Sequence, residues 1–100
     1  MGPKRLERLE WIEIDDCPRA YMAESLRARL VGLAWLDGLP DGCGLLIPRC
    51  SSVHTFGMRF ALDVDFLDDS GLLLRRVEAV PPRRVVRCRG AAMVLERAAG

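Results

Sequence analysis

From His54 to Phe66 the chain alternates with period two. Every even position except His54 is apolar (Phe56, Met58, Phe60, Leu62, Val64, Phe66), and the odd positions, Ala61 apart, carry Thr55, Gly57, Arg59, Asp63 and Asp65. That alternation predicts extended chain with one face buried. Thirteen residues at about 3.3 Å each would span roughly 43 Å, too long for a single strand here. A bend near Gly57 is therefore predicted, dividing two strands. Asp68-Asp69-Ser70-Gly71 follows as a hairpin loop, since it supplies Asx-turn formers and a glycine for positive φ. Leu72 to Val80 is the returning strand, ended by Pro81-Pro82, and Val85–Cys88 and Ala92–Glu96 are two further short strands around Gly90.

The first half reads differently. Arg8–Ile14 is a strand, with β-branched and aromatic residues set between charges. Asp15, Asp16 and Pro18 then signal a helix start, and Met22, Leu26, Leu30 and Leu33 share one helical face. This predicts a single helix near residues 18–36, stopping before Gly38. Leu39-Pro40-Asp41-Gly42 reads as a turn, and Gly44–Ile47 as a short strand closed by Pro48. The expected fold is mainly β with one helix (α+β by strict count), built as a small antiparallel β-barrel or sandwich.

Length and composition narrow this to one domain over residues 1–100, 50% hydrophobic and 29% charged. No apolar run approaches a membrane span, and the N-terminus lacks the apolar core of a signal peptide, so a cytoplasmic protein is expected. Charge is uneven. Residues 7–16 hold five acids against one base, and residues 75–89 hold six arginines against one acid. A basic stretch can be a nucleic-acid footprint, but a pI of 7.7 and only 6% aromatics favour pairing with the acidic segment, or a solvated face.

The candidate chemistry is sparse. Cys17, Cys43, Cys50 and Cys88 form no close-spaced pair, so a Cys3His zinc site with His54 has little support, and reduced structural thiols are expected. His54 follows Cys50 by four residues, roughly 13 Å in extended chain, too far for a nucleophile–base pair without a sharp turn at Ser51-Ser52. Asp63 and Asp65 share a strand face and could hold a cation or move a proton. The alternative is that Asp63 accepts backbone N–H groups of a neighbouring turn. Hydrolase, zinc-protease, P-loop and dinucleotide-binding motifs do not occur.

Three stretches carry a resemblance: LPDGCGLLIP from Leu39 to Pro48, CSSVHTFGM from Cys50 to Met58, and LDVDFLDDSG from Leu62 to Gly71. With Arg29-x-x-Gly32-Leu33 and MVLERAAG from Met93 to Gly100, they make the chain resemble domain-of-unknown-function family 192. The resemblance covers the chain from about residue 17 onward. It implies a small, largely antiparallel β domain and no assigned reaction. Ala61 stands where the family usually has proline, and the family pattern tends to continue beyond the final glycine. The resulting expectation is an exposed sheet edge near residues 91–96, covered by a second copy in a homodimer.

The functional expectation is a non-catalytic domain that binds a small molecule or a protein beside the VHTFGM segment. His54, Thr55 and Arg59 would supply polar contacts, Phe56 and Met58 the walls, and Asp63 completes the set. No cofactor, metal or membrane partner is expected. The alternatives are a hydrolase or transferase using Cys50 or His54, and nucleic-acid binding through the arginine-rich strands.

Overall fold

The structure, a computed structural model, describes residues 11–14, 17–22, 39 and 42–99. They form eight strands: β1 (Trp11–Ile14), β2 (Cys17–Met22), β3 (Cys43–Pro48), β4 (Ser52–His54), β5 (Leu62–Leu67), β6 (Leu73–Val80), β7 (Val85–Arg87) and β8 (Met93–Ala98). Six make one sheet in the order β1-β2-β3-β8-β5-β6, and β4 pairs with β7 as a separate ribbon. The large sheet is open among the described residues, with β1 and β6 at its ends, so the fold is mainly β but not a closed barrel. Nor is it wholly antiparallel: β2 runs parallel to β3.

The predicted helix does not stand where it was expected to begin. Residues 17–22 are strand, and the remainder of that prediction, 23–36, lies outside the described residues. Cross-strand pairing explains the change. Tyr21 pairs with Trp11 on one side and Leu45 on the other, and Cys17, Ala20 and Tyr21 are buried. Burial between two neighbouring strands outweighs a local capping signal, and Pro18, second in its strand, is tolerated near a strand's start. The Arg8–Ile14 strand is described only from Trp11.

Alternation sorts the side chains into two layers. Tyr21, Leu45, Val64, Phe66 and Val94 share one face, and Val53 and Met58 join the same cluster. Ala20, Leu46, Leu67 and Leu95 pack with Cys17 on the opposite face. At the centre, β3 is buried at five of six positions, as a strand with neighbours on both sides requires.

The long alternating run splits as its length demands, with the turn at Gly57 as predicted. β4 ends at His54, Gly57 turns at φ 81°, Met58 N–H bonds the Thr55 carbonyl, and β5 starts at Leu62. The Asp68–Gly71 loop behaves as predicted: Asp68 Oδ1 accepts N–H bonds from Ser70 and Leu72, and Gly71 has φ 85°.

The expected edge at residues 91–96 is overturned. Met93–Ala98 is bonded to β3 on one side and β5 on the other. Strand order is set by which faces bury together, not by position in the chain. Among the described residues, the edge strand at this end of the sheet is β6.

Gly44 records how tightly the centre is packed. A Cβ there would lie 2.8 Å from Cys17 Sγ, 3.0 Å from the Glu96 carbonyl oxygen and 3.1 Å from Arg97 Cγ. The carbonyl belongs to a strand bonded on both sides and cannot give way. Gly44→Ala should destabilise the fold by about 1–3 kcal/mol. A thermal melt would show it, and an unchanged midpoint would refute the overpacking argument.

Candidate functional site

The VHTFGM segment divides between surface and interior. His54 ends β4 opposite Val85, with its side chain exposed. Its ring lies 5.9 Å from that of Phe56, tilted by 41°. Phe56 is 52% exposed, a large apolar ring held against solvent. Arg59 is exposed as well.

Thr55 and Met58 point inward. The Thr55 hydroxyl donates to the Pro81 carbonyl at 2.7 Å and accepts the Arg84 N–H at 2.8 Å. Its main chain adds bonds to Arg83 and Arg84, so this one buried residue fixes the 81–84 turn against the end of β4. Met58 is a core side chain. Asp63 accepts the Ala79 N–H at 2.9 Å, where Ala79 sits at φ 52° in an irregularity of β6. That is the backbone tie expected from the sequence. Of the six candidate residues, His54 and Phe56 are in mutual contact on the surface, whereas Thr55, Met58 and Asp63 hold the frame beneath and beside them.

A groove lies at the other end of the β4–β7 ribbon, where Ser52 pairs with Arg87, rather than at the end where His54 pairs with Val85. It has a volume of about 460 Å³ and is lined by Ser51, Ser52, Arg87, Cys88, Arg89 and Gly90. The ribbon register creates it: Ser52 pairs with Arg87, and Cys88 N–H bonds the Ser51 carbonyl. Two hydroxyls and two guanidinium groups line the groove, and no carboxylate does. Sequence reading missed this grouping, because Ser51-Ser52 and Arg87–Arg89 are far apart in the chain. The short apolar centres of the two strands, Val53 and Val85-Val86, were the only hint that they pair.

The cysteines and histidine take other partners. Cys50 Sγ donates to the Ser52 carbonyl at 3.1 Å, and no hydrogen bond joins it to His54 among the described residues. All four cysteines are free thiols, and burial raises the pKa of Cys17 above its ordinary value. Among the described residues, no three His, Cys, Asp or Glu side chains gather as metal ligands, and no helix is long and apolar enough to cross a membrane.

Two carboxylates lie deeper. Asp65 takes both Arg76 Nε (2.7 Å) and Nη2 (3.0 Å), and Arg97 Nη2 at 2.9 Å. At least one base of the arginine-rich stretch, Arg76, is thus matched by Asp65 on the neighbouring strand. Glu96 is buried between Leu45 and Val64, its Oε1 has no partner among the described residues, and desolvation pushes its pKa up to about 7.

Residues 12–100 match DUF192, a family described as Uncharacterized ACR. No curated protein matches the chain. Two solved structures share the fold. One is a protein of unknown function from Novosphingobium aromaticivorans, 19% identical, with a TM-score of 0.74 over 82% of this chain and 64% of that one. The other is a "putative transcription regulator" from Sinorhizobium meliloti, 22% identical, with a TM-score of 0.76 over 82% of this chain and 69% of its own. The chain thus spans about two thirds of the length of each.

Proposed function

The chain belongs to the DUF192 family, and from that premise we propose that it is a non-catalytic binding domain for a small anionic ligand, or for an acidic segment of a protein, held on the β4–β7 ribbon. The observation that carries this reading is the groove with Ser51, Ser52, Arg87 and Arg89 in its lining and no acid among them. Guanidinium groups grip carboxylate and phosphate oxygens through charge-assisted bonds, and serine hydroxyls add neutral donors. Thr55 supports the reading indirectly. Its bonds to Pro81 and Arg84 pin the turn that leads into β7, so Arg87 is presented from a fixed frame.

Titration of the whole chain with inorganic phosphate, and separately with a short polyglutamate peptide, tests the proposal by NMR. Shifts should centre on Ser51, Ser52 and Arg87–Gly90. Arg87→Ala with Arg89→Ala should weaken binding at least tenfold, since a charge-assisted bond contributes about 1.5–3 kcal/mol. No shift at the ribbon with either probe would sink the reading. A DNA duplex belongs in the same series, given the name borne by the Sinorhizobium neighbour. Tight binding of the duplex, with affinity falling steeply with salt, would favour nucleic-acid recognition instead.

A further inference from the structure

We infer that the β6 edge is a self-association surface, where a second copy of this chain adds antiparallel and continues the six-stranded sheet across a two-fold axis. β6 is the longest strand, and it ends the sheet among the described residues. Soluble proteins keep such edges short, charged or covered. This one is preceded and begun by three exposed leucines, Leu72 (67%), Leu73 (49%) and Leu74 (47%). The opposite edge, β1, comprises four residues among those described.

The register follows from faces and charges. A two-fold axis perpendicular to the sheet keeps each face on its own side, so residues brought opposite each other must belong to the same face. Val77 faces the Val64 side, whereas Arg76 faces Asp65 on the other. Glu78, two residues beyond Arg76, is exposed and follows it on that face. Pairing centred on Val77 therefore places Arg76 directly across from Glu78 of the second copy, twice by symmetry. Opposite charges facing each other across a strand pair are favourable. The same register sets Leu73 and Leu72 against Pro81 and Pro82 of the second copy, both of which are exposed. The exposed leucines then meet an apolar turn. The register irregularities of β6 fall at Leu74 and at Glu78–Ala79, so the regular part of the new ladder is short, Arg75–Val77, and each Glu78 meets Arg76 at its rim.

The test is sedimentation of the full chain over a wide concentration range at 0.15 M salt, with amide hydrogen exchange recorded on the same samples. The wild type should become dimeric as concentration rises, with β6 amides gaining protection in step. Glu78→Arg replaces two attractive pairs with two repulsive ones and should raise the half-dimer concentration about tenfold. Its side chain is exposed, so the variant should melt as the wild type does. A monomer at every concentration would overturn the inference. So would a dimer indifferent to Glu78→Arg, or one whose β6 amides still exchange freely.

Discussion

Glu96→Gln should abolish a fall in stability that the wild type shows as pH rises from about 4.5 to 7. The carboxyl is buried on the sheet's main core face, and burial raises its pKa from 4.5 to about 7. A raised acid pKa means that the folded state binds the proton more tightly than the unfolded chain does. Stability from this group is therefore complete below pH 4.5 and is lost as pH climbs through about 7. The shift corresponds to about 3 kcal/mol. Glutamine keeps the shape and cannot ionise. The difference between wild-type and variant unfolding free energies should thus be constant below pH 4.5 and grow by that amount toward pH 8. Urea denaturation at a series of pH values measures it. Parallel curves would mean that the carboxylate finds a partner when ionised.

Asp65→Ala should be the most damaging charge deletion in the described fold. One carboxylate, 5% exposed, accepts two bonds from Arg76 and one from Arg97, whose side chains are 38% and 19% exposed. Removing it leaves two guanidinium groups facing each other beside a buried strand. Breaking a fully buried pair costs about 3–5 kcal/mol, and the partial exposure of Arg76 reduces that here to about 2–4 kcal/mol. The urea midpoint should drop with the slope unchanged. Asp63→Asn makes the natural comparison. That side chain keeps an oxygen for the Ala79 N–H, so the loss should stay near 1 kcal/mol. Equal losses at the two positions would show that the arginine cluster contributes nothing special.

What the sequence determined by itself was local. The two-residue period from His54 to Phe66 announced extended chain, its length required a break, and Gly57 marked the place where φ could turn positive. Asp68 and Gly71 specified the hairpin, because their side-chain and backbone requirements are met within four residues. Asp63 was legible as a backbone tie for the same reason: a short carboxylate beside a turn finds amide hydrogens close at hand. The resemblance carried by Val53–Met58 and Leu62–Gly71 pointed to the family.

Tertiary structure decided everything that depends on neighbours distant in sequence. Cys17–Met22 carries a helix-start signal, yet it is strand because β1 and β3 bond it from either side. Met93–Ala98 sits in the middle of the sheet, between strands that begin 50 and 31 residues before it. Short strands carry no mark of their order, since any two can satisfy one another's backbone. Nothing near Glu96 in the chain foretold its burial, and nothing near Ser52 foretold Arg87. Register across the β3–β8–β5 strands and the β4–β7 ribbon placed both, which is why the turns and ties of the frame were readable from the chain and the groove on the ribbon was not.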